Sequence, residues 1–397
     1  MTGARLVAQV VDSAEPFSTP DPGAVQPYLD HHGDHLGLLV AATPPRARAR
    51  LDAIVVPTAR PVAYLREAIR LARELDCPLI ALCSKWADAA PTIREAQAEG
   101  AQAVAADLGE AAYFPLMADG QLRGTRFWRD ADTSVKRNIG LAVARMMGWR
   151  AVLFLDDDIA IASADDIGAA ASFLDRYDCV GLTNVGYPDN SVVCHAHRAV
   201  GGLQTSFIGG GAMLVAADRA AGFFPNIYNE DWFFLLDDDR LTSVARTGRV
   251  VQKDYDPFAD PRRARYEELG DCLAEGIYRL LDDGRRVQDA DHAYWHQFLA
   301  SRRRFINGLL HRVPDIDEPL DARLRMIESL KAARGRLHLI TPELCASYLE
   351  AWREDRASWA QTLRYLPRVS TITKALHHFG LYPISTGGSA AEARMLR

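Results

Sequence analysis

From residue 51 onward the chain alternates short apolar runs with stretches of helical period, and this alternation restricts the fold more than any other feature. "LDAIVVPTARP" reads as a strand closing on a turn, and "VAYLREAIRLARELD" follows with Leu65, Ile69 and Leu75 at helical spacing. "CPLIALCS" is the next strand, "APTIREAQAEG" a helix stopped by Gly100, and "AQAVAAD" a third strand. Strands separated by helices of this length pair in parallel within an α/β layer. Beyond about Tyr255 the strand signal fades, and four long segments from "RRARYEELGDCLAEGIYRLLDD" to "TPELCASYLEAWRED" all carry a helical period. The organisation predicted is an N-terminal extension over 1–50, an α/β domain over 51–255 and a helical region over 256–397 packed on it.

Bulk composition narrows the class. The formal net charge of −6 over 397 residues argues against a non-specific nucleic-acid binder, which must neutralise phosphates. No apolar run reaches the roughly 18 residues of a membrane span, and "MTGARLVAQVVDSAEPF" lacks the apolar core of a secretory leader. Six cysteines without CxxC spacing suit reduced thiols. The expectation is a soluble, cytoplasmic protein with no transmembrane segment and no nucleic-acid partner. Nothing in the sequence sets its oligomeric state.

"AVLFLDDD" at 151–158 brings an apolar strand to three adjacent carboxylates, which repel one another unless a cation lies among them. If the extended backbone persists, Asp156 and Asp158 fall on one side and Asp157 on the other. Two readings stay open here: a solvated strand end, or a site for Mg²⁺ or Mn²⁺ beside a diphosphate. "LLDDD" at 235–239 repeats the run and reads as a solvated helix end. "VKRNIG" places Lys136 and Arg137 near a helix start, with Asp132 or Thr133 as N-cap. That suits either a phosphate or an exposed basic face. "GGGAM" permits close backbone approach to a ligand or marks a bulge. "YNEDWFF" sets Glu230 and Asp231 beside aromatics, as a general base with a raised pKa requires, or merely opens a helix. "CHAH" reads as strand, with Cys194 pointing away from His195 and His197. "RRAR" (262–265) and "SRRRF" (301–305) read mostly as solvated faces.

Taken in order, "VVPTARP", "KRNIG", "FLDDD", "GGGAMLV" and "NEDW" resemble the motifs of GT-A glycosyltransferases. The nearest likeness is to the large inverting family that includes cellulose, chitin and O-antigen sugar transferases. The resemblance spans roughly residues 52–240. It implies a Rossmann-like GT-A sheet, a nucleotide-diphosphate sugar donor, and Mn²⁺ or Mg²⁺. Pro57, Thr58 and Arg60 match the first nucleotide-contacting loop, and Lys136 and Asn138 the positions near the donor phosphates. Asp156 and Asp157 lie towards ribose and sugar, and Asp158 is the direct metal ligand, with Asp156 also in reach of the ion. Asp231, or Glu230 in its place, matches the base, and Gly210, Gly211 and Trp232 the acceptor pocket. Some members add a C-terminal histidine to the metal, a role open to His292 or His296, four apart on one helical face.

Two departures matter. Ser84 stands near the position where the family has an acidic residue that reads the base. The QxxRW pattern of processive members is absent, which argues for a small or soluble acceptor over polymer synthesis. The alternatives carried are a haloacid dehalogenase-type phosphotransferase and a non-catalytic sugar-nucleotide-binding protein. The former wants Thr or Val where Ala160 stands.

Overall fold

In the computed structural model the described residues are 35–42, 48–109, 114, 116–188, 190–204, 207–208 and 211–387. Strand β1 (Val40–Ala41) precedes β2 (Ala53–Thr58), α1 (Arg66–Glu74), β3 (Leu79–Cys83), α2 (Ala89–Ala98) and β4 (Ala103–Asp107). Then come α3 (Met117–Leu122), α4 (Thr133–Met147), β5 (Ala151–Leu155), β6 (Ile159–Ala160), α5 (Ala164–Ala171) and β7 (Cys179–Asn184). The next elements are α6 (Val192–Ala199), β8 (Ala212–Ala216), α7 (Glu230–Phe234) and β9 (Val244–Gln252). Helices α8 (Pro261–Asp282), α9 (His292–Arg312), α10 (Leu320–Leu337), α11 (Pro342–Tyr365) and α12 (Ile372–His378) follow, and β10 (Ile384–Ser385) is the last element among the described residues.

The strands form a ten-stranded sheet in the order β1-β9-β7-β8-β5-β2-β3-β4-β10, with β6 pairing onto β9 off this path. Pairing is mostly parallel. The exceptions are β8, antiparallel to both β5 and β7, together with β6 and β10. Since β8 opposes both neighbours, β5 and β7 run the same way. The C-terminal ends of β2, β3, β5, β7 and β9 therefore share one rim, joined there by the N-terminal end of β8. The chain winds from β2 to β3 and β4 on one side and to β5 on the other. The switch point of this α/β sheet, where ligands bind, thus lies between the ends of β2 and β5.

Pro57 shapes that switch point. The N–H of Ile54 donates to Pro78 beside β3, so alternate positions of β2 face β3 and the intervening ones, including Pro57, face β5. The β2–β5 ladder ends at Val55 opposite Phe154. Proline has no N–H to carry it further.

Both faces of the sheet are covered, so β2, β3, β5 and β8 are buried along their whole length, as parallel strands in α/β layers are. Val55, Val152 and Phe154 face α4 and the C-terminal helices, while Ile54, Leu153 and Leu155 face α1, α2 and α5. Helix α4 lies close on the sheet at Gly140, where an added Cβ would sit 2.7 Å from a Val55 methyl. One continuous apolar cluster runs from the sheet through α8 to α12, across the 255/256 boundary.

Four expectations are corrected in whole or in part. "CHAH" is not strand but lies in α6, whose N-cap Ser191 accepts from the Cys194 N–H while Glu267 accepts from Val192. Asp132 occupies the N-cap position of α4 as expected, but makes no side-chain cap, its carboxylate pairing with Lys136 instead. "LLDDD" is not a helix end: α7 stops at Phe234, and Asp237 closes a turn by accepting the N–H groups of Asp239 and Arg240. In "SRRRF", Arg302 is fully buried and pairs with Glu268 and Asp271 of α8.

Candidate active site

The sheet rim brings together most of the residues singled out in the sequence. Asp156 leaves β5 with its N–H bonded to the carbonyl of Gly211 at 2.8 Å, and the chain then turns, Ile159 N–H reaching back to Asp156. This turn overturns the alternation expected of the three aspartates. Asp157 and Asp158 converge on the same guanidinium, that of Arg60, with the Asp158 contact at 2.9 Å. Asp156 instead accepts from Arg137, one guanidinium nitrogen donating to both carboxylate oxygens at 2.9 and 3.1 Å. Asp157 also accepts from the Thr58 hydroxyl at 2.7 Å, a bond that crosses the switch point from β2 to β5. Arg60 in turn lies over the Tyr64 ring.

Arg137 is the residue the sequence reading undervalued. It is buried in α4, and its guanidinium spans from Asp156 to Glu230 at 3.1 Å, joining the end of β5 to the start of α7. Burial opposes its charge, but Asp156, Glu230 and Asp231 outweigh that and raise its pKa. Arg129, between α3 and α4, adds a second contact to Glu230 at 3.7 Å. The available signal was a basic pair opening a helix whose partner strand ends in acids.

Lys136 is also buried. Its ammonium donates to the Thr58 carbonyl at 2.7 Å and the Ser84 hydroxyl at 2.6 Å and pairs with Asp132 at 2.9 Å. It thus ties the ends of β2 and β3 to α4, and burial lowers its pKa. Asn138 is committed to Phe224, donating to its carbonyl and accepting its N–H, each at 2.8 Å. Gly211 packs directly on Asp156 and Ile159, whereas Gly210 lies outside the described residues. Asp231 is buried at the first turn of α7. Trp232 packs into an aromatic cluster with His35, Phe207 and Tyr278 at ring separations of 4.7 to 5.4 Å.

A hard divalent cation takes oxygen donors, and carboxylates on one side of it with phosphate oxygens on the other are its usual setting. Asp157 and Asp158 fit that donor set, since their oxygens already converge on one cationic group. Asp158 is partly open and Arg60 is 39% exposed, so an ion taking the place of Arg60 would keep the buried Asp157 carboxylate, 4% exposed, compensated. Asp156 is held by Arg137 rather than by Arg60. Neither histidine joins it: His292 is exposed and bonds Glu343 of α11 at 2.6 Å, and His296, one turn on, is exposed on the same helix. Elsewhere, Cys194, Asp271 and Glu275 bring ligand-type atoms within 4.8 Å of one another, all buried. Arg302, Ser191 and Asn229 already engage Asp271, and His35 engages Glu275, so that cluster is internally satisfied.

All six cysteines are free and buried, and among the described residues no helix is long and apolar enough to cross a membrane. No family profile and no curated protein matches the chain. Among solved structures, it is similar to a mannosyltransferase from Pyrobaculum calidifontis in complex with GDP-Man and Mn²⁺. The TM-score is 0.41 and the identity 15%, covering 82% of this chain and 88% of that one.

Proposed function

We propose that the chain is a GT-A-type glycosyltransferase that moves a sugar from a nucleoside-diphosphate donor to a hydroxyl of a small or soluble acceptor, inverting and non-processive. The observation that carries this reading is the union, at the switch point of a mostly parallel sheet, of three carboxylates, two arginines and a second acidic pair. Asp157 and Asp158 would hold a Mn²⁺ or Mg²⁺ ion, which when bound offsets the charge building on the diphosphate oxygens.

The chain's own residues divide the remaining work. Thr58, Arg60 and Ser84, with Pro57 behind them, form the nucleotide side of the rim. Lys136 and Asn138 serve it from beneath by holding the strand ends and the Phe224 segment in place. In the displacement, the bond from the anomeric carbon to the diphosphate oxygen breaks as the acceptor oxygen bonds that carbon. The acceptor proton passes to a carboxylate, and the nucleoside diphosphate leaves. Glu230 is poorly suited to take the proton because its carboxylate oxygens are already engaged by Arg137 and Arg129. Asp231, next to it at the start of α7, is assigned the base.

The test is release of nucleoside diphosphate from a panel of nucleotide sugars with Mn²⁺, repeated after chelation and with Asp231→Asn. Turnover lost on chelation, and lost in Asp231→Asn with donor binding intact, is the expected result. Full activity in chelator, or an unchanged Asp231→Asn enzyme, overturns the reading.

A further inference from the structure

A second site opens on the same rim, beyond β8. The end of β9 lies against the aspartates, where Lys253 N–H donates to the Asp158 carbonyl, and the chain then passes into residues 254–258. Those residues, the turn after β7, helix α6 and the start of α10 enclose a cavity of about 500 Å³. That volume lies within the range of small-molecule sites, roughly 300–1,000 Å³. The cavity lies at the ends of β7 and β9, two and three strand positions from β5, about 10 to 15 Å at the usual strand spacing.

Its walls are aromatic on one side. Tyr187 stacks on His195 with centroids 5.2 Å apart, Tyr255 meets Tyr187 edge-on at 4.9 Å, and Phe258 completes the wall. His195 Nε2 bonds the Tyr255 hydroxyl at 3.0 Å, and Arg263 holds the same hydroxyl from behind at 3.2 Å. These bonds fix the rings as a rigid platform, of the kind on which the C–H face of a sugar ring packs.

The charge is asymmetric. Arg325 is balanced by Asp256 and Asp321, and Arg263 by Glu267. Arg198 bonds only the Gln204 carbonyl, at 2.7 Å, and makes no ion pair with a carboxylate among the described residues. Burial, with Arg263 and Arg198 adding to it, pulls the His195 imidazole down to about 3, so the ring is neutral at ordinary pH. Glu318 also lines the cavity but stands at its exposed edge. Arg198 is exposed as well, so the cavity pairs an aromatic floor with a guanidinium at its open edge that has no carboxylate partner among the described residues and whose planar fork suits a carboxylate or phosphate.

We propose that this cavity binds a saccharide bearing a single acidic group, its ring on the Tyr187–Tyr255 wall and its carboxylate or phosphate on Arg198. We further infer that this ligand is the acceptor. The binding assignment stands on the cavity alone, while the acceptor role rests on the glycosyl-transfer reading above.

The experiment is calorimetric titration of the full chain with methyl glucuronide, glucose 6-phosphate and neutral methyl glucoside. The first two are expected to bind at least about ten-fold more tightly than the third, and the tighter of the two identifies the acidic group. Arg198→Gln is expected to erase the preference and Arg198→Lys to keep part of it, both without change in nucleotide-diphosphate binding or melting temperature. Equal binding of all three probes, binding of none, or a preference that survives Arg198→Gln overturns the assignment. The two readings fail separately. Nucleotide-sugar turnover without probe binding removes the cavity and leaves transfer. Probe binding without any nucleotide-sugar binding removes transfer and leaves the cavity as a binding site.

Discussion

Arg137 shows how much of this site depends on a single buried group. Its side chain is 3% exposed, and it faces Asp156 from one element and Glu230 from another. Removing one partner of a buried ion pair strands the other charge, at a cost of about 3–5 kcal/mol. Arg137→Met is therefore expected to lower the melting temperature by several degrees and to abolish turnover. Arg137→Lys is expected to recover less than half of that stability, since an ammonium cannot span both carboxylates as a guanidinium does. Thermal melts of the two variants check this; equal stability of wild type and Arg137→Met would remove Arg137 from the proposed site. At this scale the sequence was only partly legible. The aspartates and the "NEDW" pair announce themselves through adjacent like charges that a fold does not favour unaided. Arg137 and Arg302 do not, because a basic run on a helix looks the same whether one member turns inward or none does. What turns Arg302 inward is Glu268 and Asp271 on another helix, a pairing that no local pattern reveals.

Helix α8 is the element with the most unusual content, carrying Glu267, Glu268, Asp271 and Glu275 as buried acids. Arg263, Arg302 and His35 answer them. His35 is 3% exposed and lies between Glu275 at 3.3 Å and Asp282 at 2.5 Å. Burial opposes its charge, yet the hydrogen bonds and attraction from the two carboxylates prevail and raise its pKa from 6.5 to about 9. A group whose folded pKa is raised contributes stability that is complete below its unfolded pKa and is lost as pH climbs through the folded one. Relative to His35→Gln, wild type is expected to be more stable by about 3 kcal/mol at pH 6 and to lose that advantage between pH 6.5 and 9. Denaturant unfolding of both proteins at pH 6 and pH 9.5 measures it; a constant difference would sink the account. Elements themselves were well read wherever burial imposes a period. β2 to β5 and the long C-terminal helices stand near their expected places, and Gly100 has the positive φ that a helix stop calls for. Helix α6 was misread because "CHAH" alternates like a strand, and what fixes it as helix is Ser191 at its cap and Glu267 from α8.

At the scale of the molecule, the sheet and the C-terminal helices share one apolar interior. The same cluster holds Val55 and Phe154 from the sheet and Trp295, Trp352 and Leu376 from the helices, and β10 returns to pair with β4. A chain ending at residue 255 is expected to leave this face of the sheet in water, to bind a hydrophobic dye and to show no cooperative melt. The full chain is expected to unfold in one calorimetric transition. Two resolved transitions, or a well-folded 1–255 fragment, would show the regions to be independent. That the C-terminal helices pack on the α/β layer was expected from the sequence, but which faces meet was not legible, because helical periodicity tells which face is apolar and not what it meets.

Pro57 has a consequence for the rim as a whole. A strand that lacks a proton to give at the position facing β5 cannot be zipped to its neighbour, whatever the solvent or occupant. The mouth between β2 and β5 is therefore cut into the covalent chain itself rather than pried apart by an arriving molecule. A guest entering there has no ladder hydrogen bond to break, only the side-chain contacts of Thr58 and Arg60 with the aspartates to displace, so less of its affinity is diverted to opening the site.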